Sequence, residues 1–173
     1  MARRRAHRAG RRSRRHRDGR RARAALAAGA SGVVAGTRFL LTRESRAHPE
    51  YQRRIGAADK TFRTMLFGLG SPAPHRVIAN AATERWCHAD GSAKSAPRLI
   101  NSRSGFLAKL PTTTSVLRMQ SPGVPVFSPI APTLGMPASA VDCTACYAGE
   151  SALRMSSVTS ARQALAELSP VEH

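Results

Sequence analysis

The sequence has few bulky side chains from which to build a hydrophobic core. Its 173 residues include five Phe, two Tyr and one Trp, and alanine makes up much of the 42% that is hydrophobic. Because burial of apolar area drives folding and alanine buries little of it, the core should be small. Ordering each residue costs roughly 1–2 kcal/mol of backbone entropy. We therefore predict a largely disordered chain with minor α-helix and no extensive core.

Cysteine is also scarce, and its spacing is only weakly informative. Cys87, Cys143 and Cys146 are too few, and odd in number, for a disulfide scaffold. Cys143 and Cys146 have the CxxC spacing of a shared zinc ion or a redox pair, and Cys87 with His88 would complete a four-ligand set. One CxxC without a second well-spaced pair is weak evidence, so we assign no metal site and leave metal binding by these cysteines open. Nothing in the sequence predicts a cofactor.

Catalytic and nucleotide-binding motifs are missing. The segment Gly68-Leu69-Gly70 begins like a dinucleotide-binding loop, but Pro72 interrupts it, and no GxxxxGK[ST] follows elsewhere. The acidic residues show no paired pattern for acid–base work, and the six histidines show no HExxH spacing. We therefore assign no catalytic residues and predict that the protein is not an enzyme.

Positive charge is what the sequence has in excess. Lys and Arg total 28 against 10 acidic residues, for a formal charge of +18. The N-terminal 1–23 holds 12 Arg against one acid, Asp18. Such a block repels itself and has nothing apolar to bury, so it should form a disordered basic tail.

This tail predicts binding to nucleic acid, either RNA or DNA, or to another polyanion. Arginines neutralise phosphates regardless of sequence, and no aromatic residues are interleaved with them to stack on bases. The predicted function is therefore a non-enzymatic, non-specific nucleic-acid binder, located in the nucleus or in the nucleoid or cytoplasm. The predicted binding residues are Arg3, Arg4, Arg5, Arg8, Arg11, Arg12, Arg14, Arg15, Arg17, Arg20, Arg21 and Arg23.

Two alternatives compete with this function. The basic block is followed by an uncharged Ala/Gly-rich stretch over 24–37, so 1–37 also fits an organelle presequence or an export signal. That stretch is shorter than the roughly 20 apolar residues of a membrane span, and we predict none. The second alternative is a reading frame with no evolved function, because GC-rich coding alone yields many Arg, Ala, Gly and Pro codons.

Two amphipathic helices are predicted. Over about 49–67, Pro49 suits a first helical position, and apolar residues then recur at helical spacing. The apolar face should pack on another segment or helix, on a second copy of the chain, or on a membrane; its main residues are Tyr51, Ile55, Phe62 and Leu66. Over about 157–168, Ser160 and Gln163 have the spacing of a helix cap, which predicts a short C-terminal helix.

Composition then divides the chain into five segments. They are a basic disordered tail (1–23), an Ala/Gly-rich linker (24–48), the amphipathic helix (49–69), a Pro-rich irregular segment (70–141) and a short helical C-terminal region (142–173). The Pro-rich segment holds nine of the 11 prolines, which disfavour both helix and central strand.

Overall fold

Backbone hydrogen bonds and buried side chains join distant parts of this chain in the computed structural model, which describes residues 19–106 and 120–169. The described residues form a folded domain structure, so the prediction of a largely disordered chain is wrong. Two compact units are present: 19–45 with 157–169, and Arg46–Ser156.

The first unit is helical. Its helical stretches are α1 (19–27), α2 (Gly36–Leu40) and α6 (Ala161–Leu168). Helix α6 lies where the C-terminal helix was predicted, and the Ser160 hydroxyl accepts a hydrogen bond from the Gln163 amide, as the spacing indicated. Residues 19–23, predicted to be disordered, lie in α1.

A buried ion pair joins α2 to α6 within this unit. The Arg38 guanidinium lies 2.7 Å from a carboxylate oxygen of Glu167, and the two side chains are 7% and 19% exposed. The same guanidinium donates to the Thr159 hydroxyl at 2.9 Å. Thr159 also forms an isolated parallel β-bridge with Thr42. Backbone and side-chain contacts therefore connect the segment that contains α2 to the segment that contains α6.

The second unit contains helices, a small sheet and 3-10 turns. Its elements are α3 (Pro49–Ala57), β1 (Phe62–Thr64), β2 (His75–Val77), α4 (Ala81–Trp86), α5 (Ser95–Arg103), and 3-10 turns at Ala138–Asp142 and Glu150–Arg154. Strands β1 and β2 are antiparallel, and Phe62 lies opposite Val77. None of the described helices has the length and apolar character needed to cross a membrane.

Helix α3 begins as predicted but ends ten residues early. Pro49 occupies its first turn, and the His48 imidazole caps it by accepting from the Glu50 amide at 3.1 Å. The helix ends at Ala57, because Ala58 is extended with ψ of 134° and the chain then enters β1. Pairing of β1 with β2 outweighs the helical spacing of the apolar residues, so the predicted extension to 67 is wrong.

The core of the second unit brings two phenylalanines together from distant parts of the sequence. Phe67 and Phe127 meet edge to face with ring centroids 6.0 Å apart, and both are fully buried. Around them pack Leu66, Val77, Ala82, Ala93, Cys143 and Ala145. Close approach of these residues makes a core where the composition predicted no extensive one, because packing depends on placement as well as on side-chain size.

The apolar face of the predicted helix is covered by the chain itself. Tyr51, Ile55 and Leu66 are fully buried, and Phe62 is half-buried against the core. The Tyr51 hydroxyl donates to the main-chain oxygen of Tyr147. Prolines also serve as core residues in the Pro-rich segment, since Pro97 and Pro132 are fully buried.

Candidate functional site

A cavity of about 270 Å³ lies in the second unit and combines charged side chains with apolar walls. We call it the Lys60 cavity. It is lined by Lys60, Phe62, Ala79, Thr83, Glu84, Cys87, His88, Ala89 and Gly91. The lining comes from the loop before β1, from β1 itself, from α4 and from the turn after α4, so it forms only when these elements pack together.

A tight turn after α4 places His88 at this cavity. Cys87 and Ala93 form an antiparallel bridge, and the His88 amide donates to the Ser92 carbonyl at 2.9 Å. Gly91 closes the turn with φ of +86°. A Cβ atom there would come within 2.7 Å of the Arg63 carbonyl oxygen, so glycine is required both for the backbone conformation and for contact with β1.

The opposite wall is held by the start of α4. Asn80 and Thr83 cap the helix reciprocally: the Thr83 amide donates to Asn80 Oδ1 at 3.1 Å, and the Asn80 amide donates to Thr83 Oγ1 at 2.8 Å. This cap fixes Thr83 and, one residue on, Glu84 at the cavity. Contacts within the chain therefore hold this wall in place.

Charge in the Lys60 cavity is mixed. Lys60 is exposed at its edge, and among the described residues its ammonium has no ion-pair partner. Glu84 and His88 are exposed lining residues that can accept or release a proton. Burial raises the pKa of the Cys87 thiol, whose sulfur lies 3.3 Å from the Thr64 hydroxyl. Among the described residues, the cavity is therefore lined by the Lys60 ammonium without an ion-pair partner and by the side chains of Glu84 and His88.

A second cavity, of about 520 Å³, has no charged residue among the described residues that line it. We call it the neutral cavity. It is lined by Gln120, Ser121, Pro122, Gly135, Met136, Pro137, Ser139, Ala140, Cys143 and Thr144. Its size falls in the range of small-molecule sites in proteins.

The two cysteines of the CxxC spacing, Cys143 and Cys146, are buried in this arrangement. Cys146 is fully buried, and burial raises its pKa to about 12, which keeps it as a thiol. Asn80 Nδ2 donates to the main-chain oxygens of Val141 and Thr144, both at 2.9 Å, and so holds the CxxC loop. Among residues 19–106 and 120–169, no three His, Cys, Asp or Glu side chains are grouped to hold a metal ion.

The glycine loop that resembled a nucleotide site is filled by the chain itself. A Cβ atom on Gly68 would lie 3.0 Å from the Met65 carbonyl oxygen and 3.2 Å from Asn101 Nδ2. The Gly70 amide donates to the Ser104 hydroxyl at 2.9 Å. The Gly70 amide and the space beside Gly68 are therefore taken up by contacts within the chain.

The arginines predicted to bind nucleic acid are mostly outside the described residues. Arg20, Arg21 and Arg23 are exposed on α1. The others, Arg3, Arg4, Arg5, Arg8, Arg11, Arg12, Arg14, Arg15 and Arg17, fall before residue 19. Reasoning from sequence missed Lys60 and Glu84 altogether. The one available signal was that Lys60 is among only three lysines in an arginine-rich chain.

Comparison with known proteins gives one match. The model of the family described as nitronate monooxygenase matches residues 17–170, which is most of the chain. No curated protein and no solved structure matches. The matched family is one of oxidoreductase enzymes, which corrects both the predicted absence of enzyme activity and the predicted non-specific nucleic-acid binding. Arginine content misled the prediction, because charge alone carries no information about a folded catalytic site.

Proposed function

This chain belongs to the nitronate monooxygenase family, and on that premise we propose that it is an oxidoreductase that binds a small nitronate in the Lys60 cavity. A nitronate is the anion formed when an alkyl nitro compound loses the proton on the carbon next to nitrogen. The observation that carries the proposal is the free ammonium of Lys60 at a cavity of about 270 Å³ with apolar walls. Such a cavity suits a substrate with one anionic end and a short alkyl body.

Lys60 would bind the two oxygens that share the negative charge. An ammonium is a compact cation with three donors, and pairing with an anion strengthens its hydrogen bonds. Phe62 and Ala79 would contact the alkyl part. The cavity wall rests on the Asn80–Thr83 cap and on Gly91, so the binding geometry is set by the fold.

His88 would move the proton that interconverts the nitro compound and its nitronate. His88 is exposed at the cavity. The turn that holds it includes the hydrogen bond from the His88 amide to the Ser92 carbonyl. A base within reach of the carbon next to nitrogen removes its proton, and the Lys60 ammonium stabilises the charge that develops on the oxygens. Glu84 lines the same cavity, and its negative charge opposes binding of an anion close to it.

Delivery of electrons is a separate requirement. Monooxygenase chemistry is carried by a haem, a flavin, copper or non-haem iron. The described residues do not fit these groups: they contain no cluster of metal ligands, the Gly68–Gly70 loop is filled, and the neutral cavity has no cation for a cofactor phosphate. They therefore account for substrate binding and proton transfer, and no electron-transfer step runs through them.

A pair of substitutions tests the proposed site. The full chain, isolated without stripping small molecules, is assayed for nitrite release from preformed propane-2-nitronate and from neutral 2-nitropropane. We expect Lys60→Met to raise KM for the nitronate about tenfold, the worth of one charge-assisted hydrogen bond at an exposed position. We expect His88→Gln to slow turnover of 2-nitropropane but to spare preformed nitronate.

Arg98→Gln is the matched control, because Arg98 is an exposed cation of the same unit that does not line the cavity. It should leave both reactions unchanged. If Lys60→Met and Arg98→Gln have the same KM, the Lys60 cavity is not the nitronate site. Loss of both reactions in His88→Gln would show that His88 does more than exchange the substrate proton.

A further inference from the structure

The neutral cavity differs from the Lys60 cavity in both size and chemistry. It is about 520 Å³, and its described lining residues include no Lys, Arg, His, Asp or Glu. Its lining comes from the chain around 120–122 and 135–144, whereas the Lys60 cavity is lined by residues 60–91. The two cavities share no lining residue, so they can bind different molecules.

Three of the polar side chains in its wall have partners within the protein. The Cys143 thiol donates to the Gln120 carbonyl at 3.5 Å, and the Thr144 hydroxyl donates to the Ala140 carbonyl at 2.6 Å. The Gln120 amide bonds to the hydroxyl of Ser128. A ligand therefore gains little from hydrogen bonding here, and a charged ligand would lose its hydration without replacement.

The remaining wall favours a flat, polarisable ligand. Met136 and Cys143 are the sulfur-containing residues of the lining, and sulfur makes favourable contacts with aromatic rings. Pro122 and Pro137 add rigid apolar surfaces. The Trp86 indole N–H donates to the Pro122 carbonyl at 2.8 Å, which ties this rim of the cavity to the core.

From these observations we propose that the neutral cavity is a binding site for an uncharged, largely apolar aromatic molecule, separate from the anion site. Burial raises the pKa of the Cys143 thiol, so the wall stays uncharged at neutral pH. Residues of the second unit alone form the neutral cavity, and none of its described lining residues lines the Lys60 cavity. It would accept a molecule of two or more rings, given its volume.

The test uses two probes that share one ring framework. N-phenyl-1-naphthylamine is neutral, and 8-anilino-1-naphthalenesulfonate is the same framework with a sulfonate. We expect the neutral probe to show a saturable rise in fluorescence at one equivalent per full-length chain, unchanged by propane-2-nitronate. The sulfonate should bind at least tenfold more weakly in high salt, where exposed arginines no longer attract it.

Ser139→Trp fills the cavity from an exposed lining position and should abolish saturable binding of the neutral probe. Ser71→Trp is the control, since Ser71 is exposed in the same unit and does not line the cavity. Equal binding by the two variants, no saturable binding by the unmodified chain, or displacement by the nitronate would overturn the proposal.

A second readout needs no variant. Saturating neutral probe should slow alkylation of Cys143 by N-ethylmaleimide, followed by peptide mass spectrometry, and should leave Cys87 unchanged, because only Cys143 lines the neutral cavity. Equal rates at Cys143 with and without probe would overturn the proposal even if Ser139→Trp failed to fold.

Discussion

Asn80 and Cys146 lie 3.9 Å apart between the side-chain nitrogen and the sulfur, and they join the start of α4 to the buried CxxC loop. The same nitrogen donates to two main-chain oxygens of that loop, and Asn80 Oδ1 caps α4. One amide therefore stabilises a wall of the Lys60 cavity and a segment of chain that lines the neutral cavity. Asn80 Nδ2 donates to the CxxC loop, whereas Asn80 Oδ1 caps α4. Substitutions that remove only one of these atoms can therefore separate the two contributions.

Asn80→Asp should keep the helix cap and lose the loop contacts. The carboxylate still accepts from the Thr83 amide, but it has no N–H for the oxygens of Val141 and Thr144 and repels them. Each buried polar group left without a partner costs about 1–3 kcal/mol, so we expect the free energy of unfolding to fall by roughly 3 kcal/mol. Urea titration measures this fall.

Asn80→Ser is the comparison for that experiment, because serine is also a good N-cap and puts no negative charge beside the two carbonyls. It should destabilise the second unit less than Asn80→Asp does. Equal stability of Asn80→Asp and the unmodified chain would show that the loop contacts contribute nothing.

Glu167→Gln should destabilise the first unit. It removes the charge that pairs with the buried Arg38 guanidinium and leaves that cation uncompensated. Breaking a buried pair from one side costs roughly 3 kcal/mol. Hydrogen exchange at the amides of α6 should therefore speed up, whereas Glu150→Gln, which breaks an ion pair with the more exposed Arg76, should have little effect. If the amides of α6 exchange at similar rates in Glu167→Gln and Glu150→Gln, the ion pair between Arg38 and Glu167 does not stabilise the first unit.

The lowered pKa of the Glu50 carboxyl predicts that the protein loses stability in acid. Hydrogen bonds from Arg53 and then Arg54 lower the pKa of its carboxyl from 4.5 to about 2. A lowered pKa in the folded state means that the stabilisation is fully present above pH 4.5 and is lost as the pH falls towards 2. Unfolding curves of Glu50→Gln and the unmodified chain should therefore differ above pH 4.5 and converge near pH 2. If the difference in the free energy of unfolding between Glu50→Gln and the unmodified chain stays constant across that range, Glu50 does not stabilise the fold through its charge.

Local signals in the sequence were sufficient to predict where two helices start. Pro49 and the Ser160–Gln163 spacing act within one helical turn, so they can be recognised without knowing the rest of the fold. The end of α3 depends on β1 pairing with β2, whose paired residues lie 11 to 15 positions further along the chain, and no local pattern carries that information. Helical spacing of apolar residues therefore predicted a longer helix than the one that forms.

The prediction of disorder failed because it treated composition as if side chains were spread evenly. Phe67, Phe127 and Tyr51 are all fully buried, and they lie far apart in sequence. The Lys60 cavity escaped prediction for the same reason: Lys60 and His88 are brought to one cavity only by the packing of β1 against the turn at Gly91. His88 drew attention only as a zinc ligand beside Cys87.

Oxygen-dependent nitrite release from a nitronate is the most direct test of the account. The full chain, isolated with the small molecules it carries, is mixed with propane-2-nitronate in air, and nitrite and oxygen uptake are recorded together. The account predicts nitrite formation proportional to protein, saturable in nitronate, abolished by excluding oxygen, and with a higher KM in Lys60→Met. If protein shown by circular dichroism to be folded forms nitrite no faster than a heat-unfolded sample, the account is contradicted.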